Sequence, residues 1–178
     1  MLTPPVGYQP QTLVRALSSG HPLLQERWPR LEAVLTKIVK MPFIVGEVYR
    51  YDVRQQWLWA QGRSREQCRA AGVPEAYARA GAIVTNASSA RLSAHGCTIT
   101  RPDGIVVPAA AALDIWVLGA DGKPWTKDDP WDDFITIVAA LAPTHGLRHF
   151  SKPGKSPWDK PHIQLLEWSD ATHSLNLT

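Results

Sequence analysis

Histidine and aspartate side chains that interrupt apolar or turn-rich stretches are the residues of this chain that could do chemistry. Asp114 stands alone in the apolar run AALDIWVL, where an ionised carboxylate is costly to bury unless a positive charge compensates it. His95 ends a polar loop, and His162 begins a late apolar run with Asp159 three residues before it. Two imidazoles and one carboxylate form the usual ligand set of a catalytic zinc site, which keeps a fourth position for water. The sequence therefore allows a zinc site of His95, Asp114 and His162, with Asp159 as the group that accepts the water's proton.

The residues alone also fit scattered polar positions that share no site, and that alternative stays open at this point. Several other kinds of site are excluded by the sequence. It contains no His-Glu-x-x-His, no cysteines three apart, no Gly-x-Ser-x-Gly and no glycine-rich phosphate loop, so the commonest helical zinc-protease, deaminase and serine-hydrolase patterns are absent. The two cysteines, Cys68 and Cys97, are too few for a disulfide framework and are predicted to be free thiols.

The elements that must position these residues change from helices early in the chain to strands later. Apolar spacing predicts helices over 11–17, 22–39, 52–62 (capped by Asp52 and stopped by Gly62), 65–80 as one or two pieces, and 130–142. Apolar and β-branched runs predict strands over 42–50, 82–87, 110–118, 147–150 and 162–167, and a hairpin in which RPDG joins CTIT to IVV. This order predicts a single α+β domain, with an N-terminal helical segment, 1–42, packed on a catalytic core, 43–178. The core is expected to contain a small, mainly antiparallel sheet that carries the zinc site.

The composition is that of one soluble domain. The chain has 178 residues, of which 44% are hydrophobic and 20% charged, and a formal net charge of +3. Its mild positive charge favours loose attraction to polyanions and specifies no nucleic acid. No apolar run reaches the roughly 18 residues of a membrane span, and the first residues lack the features of a secretory signal. We therefore expect a monomer that is made in the cytoplasm.

Six short motifs in order give the chain a resemblance to a known family. They are EVYRYDVRQQWLWAQGR, IVTNA, LSAH, AALDI, DDFITIVAALAPTHGL and DKPHIQL, and they extend from about residue 43 to 166. In these motifs the chain resembles the zinc D,D-carboxypeptidases, D-Ala-D-Ala dipeptidases and phage-type L-alanyl-D-glutamate endopeptidases of peptidoglycan. The resemblance implies that one zinc ion is held by His95, Asp114 and His162 and that Asp159 is the general base. It also implies that Arg50 stabilises the oxyanion and that the substrate is bound by Ser93, Gln55 and Arg63.

The main departure from the family pattern is the distance between the serine-histidine and alanine-aspartate motifs. The family joins them by a tight turn, whereas Asp114 lies 19 positions after His95 here. Because a hairpin returns the chain to where it left, we expect residues 96–108 to form an inserted hairpin beside the metal.

The resemblance favours a peptidase that cuts the peptidoglycan stem peptide. The lack of a signal favours a phage endolysin, which acts on the wall after a pore-forming partner releases it and cuts between L-Ala and D-Glu. One alternative is a D,D-carboxypeptidase that acts on D-Ala-D-Ala. The other, from a different class, is a non-catalytic wall-binding module, which would explain the positive charge and the eight tryptophans but not an acid in an apolar strand.

Overall fold

A computed structural model describes residues 2–126, 129–149, 160–169 and 172–176. Within these ranges the chain forms one small α+β domain with antiparallel sheets, which confirms the predicted fold class. Its α-helices are α1 (Pro22–Ile38), α2 (Asp52–Trp59), α3 (Arg65–Ala70) and α4 (Trp131–Leu141). Its strands are β1 (Phe43–Glu47), β2 (Thr98–Thr100), β3 (Val106–Pro108), β4 (Ala112–Val117), β5 (Leu147–His149), β6 (His162–Leu165), β7 (Trp168–Ser169) and β8 (Ser174–Leu175). None of the helices in these ranges combines the length and the hydrophobicity that a membrane span requires.

The main sheet has the spatial order β1-β4-β6-β5, and every neighbouring pair is antiparallel. β4 lies inside the sheet, and all of its residues except Trp116 are buried. A strand that is covered on both faces needs a nearly continuous apolar run, which is the pattern that surrounds Asp114. The hairpin of β2 and β3 and the pair of β7 and β8 form two further antiparallel sheets.

The first and last helices close the core over the sheet. α1 buries side chains that recur at three and four residues, which are Leu24, Trp28, Leu31 and Leu35. It begins after His21, whose ring nitrogen Nδ1 accepts a hydrogen bond from the Leu23 amide at 3.2 Å. α4 buries Trp131, Phe134, Ile135 and Val138. All of these side chains belong to the same core cluster as the apolar residues of β4 and β6, so the N-terminal segment and the sheet share one core.

The elements before the site confirm one prediction and correct another. Two short helices, α3 and a 3₁₀ turn at Glu75–Tyr77, occupy the region in which one or two were predicted. Asp52, however, is not the cap of α2, because Tyr51 takes that position. The Asp52 carboxylate instead accepts a hydrogen bond from the Ala90 amide at 2.8 Å. It thereby ties α2 to the turn that precedes His95.

Two predicted elements are wrong. Residues 11–17 are not a helix; only Leu17–Ser19 forms a 3₁₀ turn, while Val14 makes an antiparallel bridge with Tyr49. The apolar residues of this segment pack against the sheet, and that contact outweighs their helical spacing. Residues 82–87 are not a strand, because side chains of other elements take the hydrogen bonds that a neighbouring strand would have made.

Candidate metal centre

The sheet register places two of the predicted ligands opposite each other. Asp114 on β4 pairs with His162 on β6, and on its other side Asp114 pairs with Glu47 of β1. The three polar side chains therefore lie in one row across the sheet, and all of them are buried. A row of polar groups in an apolar interior is stable only if the groups compensate one another.

The third predicted ligand, His95, reaches the row from outside the sheet. It lies on a 3₁₀ turn, Ala94–Gly96, directly before the β2–β3 hairpin. Gly96 lets this turn pack tightly, since a Cβ atom there would lie 2.0 Å from the Ala90 carbonyl oxygen. The turn is fixed to the sheet by a hydrogen bond from the Ala111 amide to the Ala94 carbonyl at 2.7 Å. The predicted hairpin is confirmed, and it returns the chain so that residues 95 and 114 meet.

The three side chains converge at distances that suit a tetrahedral metal ion. His95 Nε2 lies 3.2 Å from Asp114 Oδ1 and 3.2 Å from His162 Nδ1, and His162 Nδ1 lies 3.5 Å from Asp114 Oδ1. With zinc–ligand bonds of about 2.0–2.1 Å, the ligand atoms of a tetrahedral site stand about 3.3 Å apart. The observed separations therefore match three corners of such a tetrahedron. His95, Asp114 and His162 can hold a metal ion.

One buried oxygen gives an independent sign that a cation belongs here. Asp114 Oδ1 is buried, and within the described part of the chain no hydrogen bond reaches it. Leaving a buried carboxylate oxygen without a partner costs free energy that a bound cation would recover. The oxygen without a hydrogen bond is the one that faces both imidazoles, so the residues present fit a metal ion.

The tautomer of His95 is set for metal binding. Its Nδ1 lies 2.8 Å from the Val48 carbonyl oxygen, and because a carbonyl only accepts, Nδ1 carries the proton and Nε2 presents its lone pair. Burial lowers the pKa of the imidazole, and the nearby Arg50 guanidinium lowers it further. His95 is therefore neutral at pH 7, which is the form that binds a metal.

Arg50 connects the ligand row to Glu47. Its Nε donates to Glu47 Oε2 at 2.8 Å, and its Nη2 donates to Asp114 Oδ2. Burial alone would raise the pKa of the Asp114 carboxyl, but the charge of the Arg50 guanidinium overcomes this effect and holds the pKa well below its ordinary value of 3.8. Arg54 donates to the other oxygen of Glu47 at 2.9 Å. Arg50 thus lies at the predicted site, next to a ligand, and its role towards an oxyanion stays a prediction.

Ser93, Gln55 and Arg63 support the backbone near the site. The Ser93 hydroxyl accepts a hydrogen bond from the His95 amide at 3.3 Å and caps the turn. The Gln55 amide donates to Thr85 Oγ1 at 3.1 Å and to the Ala87 carbonyl at 2.7 Å. The observed hydrogen bonds of these side chains stabilise the polypeptide, and substrate binding by them stays a prediction.

Arg63 acts on the same stretch of backbone as Gln55. It donates to the Thr85 carbonyl at 3.0 Å, and its guanidinium stacks 4.1 Å from the centre of the Trp59 ring. Gln55 and Arg63 are therefore not part of the metal group. They donate the hydrogen bonds to residues 85–87 that a neighbouring strand would otherwise have supplied.

Asp159, the predicted general base, lies outside the described residues. The first described residue after it is Lys160, whose carbonyl oxygen accepts a hydrogen bond from His149 Nε2 at 2.8 Å. The next residue, Pro161, accepts a hydrogen bond from the Ile115 amide at 2.8 Å. The chain just after Asp159 is thus attached to β5 and to β4, one residue beyond Asp114.

Sequence reasoning missed two residues of this site. Glu47 carries the same signal as Asp114, an acid within an apolar run, and it anchors Arg50 and Arg54. Gln164 lies two residues after His162, hence on the same face of β6, and its side chain is 2.8 Å from His162 Nε2. A neutral amide in an apolar run is a weaker signal than a charge.

Comparison of the chain with protein-family models and with curated proteins found no match. The resemblance to peptidoglycan peptidases therefore rests on the short motifs, and the inference of a metal rests on the geometry.

Proposed function

We propose that this protein is a zinc metallopeptidase that hydrolyses a peptide bond in the stem peptide of peptidoglycan. The observation that carries the proposal is the buried group of His95, Asp114 and His162 at tetrahedral spacing, with one carboxylate oxygen that lacks a hydrogen bond. The set of two imidazoles and one carboxylate favours zinc and leaves one position for a water or substrate.

The reaction would divide its tasks between the ion and the chain. Zinc bound by the three ligands would polarise the peptide carbonyl and would lower the pKa of a bound water towards about 7. The Asp159 carboxylate would accept a proton during attack and pass it to the leaving amine. The Arg50 guanidinium, which lies on the ligand Asp114, would add positive charge where the carbonyl oxygen becomes negative.

Within this proposal the bond between L-Ala and D-Glu is the first choice of substrate, as in a phage endolysin that reaches the wall through a pore-forming partner. A D,D-carboxypeptidase that acts on D-Ala-D-Ala is the second. Digestion of purified muropeptides followed by mass analysis separates the two, because each cleavage releases a different fragment.

Two variants test the assignment of roles. The His162→Ala variant should lose both zinc and activity, since it removes a ligand. The Asp159→Ala variant should keep about one zinc per chain and lose activity by a factor on the order of 100 to 10,000, as expected for a general base. Zinc content is measured by atomic absorption and activity by muropeptide hydrolysis. Wall lysis at the wild-type rate by either variant, or a zinc-replete wild type that holds no zinc, would contradict the proposal and favour a binding module.

A further inference from the structure

We propose that the Gln164 amide controls metal loading, because it can satisfy either Arg148 or a metal-binding His162 but not both. The inference rests on the metal site of the proposed function. Gln164 and Arg148 lie on the side of His162 that faces away from the other two ligands. Their arrangement predicts which tautomer His162 adopts in the metal-free protein, and this can be observed directly.

Gln164 lies between His162 and Arg148. It is 1% exposed, and its side-chain amide is 2.8 Å from His162 Nε2, the ring nitrogen that faces away from the other two ligands. On the neighbouring strand, Arg148 is the direct partner of Gln164 in the sheet. A buried amide in this position must arrange its oxygen and its nitrogen between an imidazole and a guanidinium.

The first orientation of the amide points its oxygen at Arg148. The oxygen then accepts from Arg148 Nε at 2.9 Å, and the amide nitrogen donates to His162 Nε2 at 2.8 Å. Because His162 Nε2 accepts in this arrangement, the neutral ring carries its proton on Nδ1. His162 Nδ1 lies 3.2 Å from His95 Nε2, so this proton can be donated to the lone pair of His95 Nε2.

In this orientation both ends of the Gln164 amide have a partner, and the described side chains form a continuous chain of hydrogen bonds. The chain runs from Arg148 through Gln164, His162 and His95 to the Val48 carbonyl. It is the arrangement expected when no metal is bound. The proton on His162 Nδ1 occupies the lone pair that a metal would need.

The second orientation points the amide oxygen at His162. His162 Nε2 then carries the proton and donates to Gln164 Oε1 at 2.8 Å, and Nδ1 is available to a metal. The amide nitrogen now faces Arg148, and two donors oppose each other. Metal binding therefore requires the His162 proton to change nitrogen and the Gln164 amide to rotate, and it costs the hydrogen bond from Arg148.

A carboxylate at position 164 removes the competition. Both oxygens of a glutamate accept hydrogen bonds. One can accept from His162 Nε2 while the other accepts from the Arg148 guanidinium. The Gln164→Glu variant should therefore bind zinc about 10-fold more tightly, whereas the Gln164→Met variant, which offers His162 no partner, should bind it about 10-fold to 100-fold more weakly. A purely structural role would not produce opposite signs for the two substitutions.

A double-mutant cycle separates this mechanism from a simple change of charge. In the wild-type background, Arg148→Met removes the competitor and should tighten zinc binding several-fold. In the Gln164→Glu background no competition remains, so Arg148→Met should not tighten binding further. General electrostatic attraction predicts the same tightening in both backgrounds. Zinc affinity is measured by competition with a chromogenic chelator, and far-ultraviolet circular dichroism establishes that each variant is folded.

Nitrogen-15 NMR of the imidazoles in the metal-free protein reads the tautomer itself. We expect His162 to be protonated on Nδ1 in the wild type and on Nε2 in the Gln164→Glu variant. Protonation on Nε2 in the metal-free wild type, or additive effects in the cycle, would overturn the inference. A wild type that holds no zinc would instead overturn the proposed function, while the tautomer of His162 would still be measured.

Discussion

The two imidazoles of the candidate metal centre are held by different kinds of partner. On the loop side, His95 donates to a main-chain carbonyl, that of Val48, and its turn is fixed by backbone contacts with Ala90 and Ala111. On the sheet side, His162 meets the side chain of Gln164, and Asp114 is bonded by Arg50, which also contacts Glu47. The ring of His95 is therefore oriented by the main chain, whereas the other two ligands, which the sheet register brings together, are oriented by side chains.

The difference determines how each side can be changed. A backbone carbonyl is present whatever residue supplies it, so the loop side responds only to substitutions that move the turn. A side-chain partner can be exchanged, so the sheet side responds to changes of charge and of hydrogen-bonding capacity. Different substitutions therefore test the loop side and the sheet side separately.

The largest effect is expected on the sheet side, from Glu47→Gln. Glu47 accepts from Arg50 at 2.8 Å and from Arg54 at 2.9 Å, and an amide cannot compensate the charge of two buried guanidinium groups. Breaking such a network costs about 3–5 kcal/mol in the free energy of unfolding, measured by urea denaturation. Zinc affinity should also fall. The charge of Arg50, no longer shared with Glu47, would act on Asp114 only and would weaken the attraction of this ligand for a cation.

A matched control for this variant is Glu26→Gln. Glu26 pairs with Arg30 at 2.8 Å, but both side chains are more than half exposed, at 54% and 66%. The control should change the free energy of unfolding by less than about 0.5 kcal/mol. Equal decreases in the free energy of unfolding for Glu47→Gln and Glu26→Gln would show that the buried network on the sheet side contributes no more than an exposed ion pair.

On the loop side, Gly96→Ala should lower zinc affinity by about 10-fold or more and destabilise the fold by about 1–3 kcal/mol. The new methyl group would lie 2.0 Å from the Ala90 carbonyl oxygen, so the turn that carries His95 must shift. The measurements are chelator competition and urea denaturation. Gly104→Ala is the control, since nothing lies within 4 Å of its Cβ position although φ is +81°. Zinc affinity equal to the control's would mean that the turn does not position His95.

The smallest effect is expected far from both sides, at the ion pair that joins α1 to the chain after β6. Arg27 donates to both oxygens of Glu167 at 2.7 Å, and Arg27→Met should lower the free energy of unfolding by about 1 kcal/mol at pH 7 without changing zinc affinity. The hydrogen bond from Arg27 lowers the pKa of Glu167 below its ordinary value of 4.5. The pair therefore stabilises the fold above pH 4.5, and this stabilisation is lost as the pH falls through the lowered pKa.

Urea denaturation of the wild type and the Arg27→Met variant across this pH range tests the sign. The difference between their free energies of unfolding should be full at neutral pH and should disappear in acid. A difference that grows on acidification would contradict this account of the pair. A fall in zinc affinity would show that the metal centre depends on the general stability of the domain.

The sequence predicted Asp114 and the two imidazoles, but it missed Glu47, which also carries a charge in an apolar strand. Asp114 is conspicuous because β4 is buried along nearly its whole length, and the Asp-Gly turn indicated how His95 could return to it. Gln164 was missed because a neutral amide costs less to bury and depends on partners that only the sheet pairing brings close. Residues 11–17 and 82–87 were misassigned because distant contacts, with Tyr49 and with Gln55 and Arg63, decide their backbone.

The β2–β3 hairpin is closed at its base by two backbone hydrogen bonds, from the Ala109 amide to the Cys97 carbonyl at 2.9 Å and from the Ala111 amide to the Ala94 carbonyl at 2.7 Å. Because these two hydrogen bonds hold the base, we expect that residues 98–108 can change in length without moving His95 or Asp114. Doubling such a loop costs only about 0.6 kcal/mol of closure entropy. The hairpin is therefore a segment whose length and sequence can be changed while the three candidate ligands keep their places.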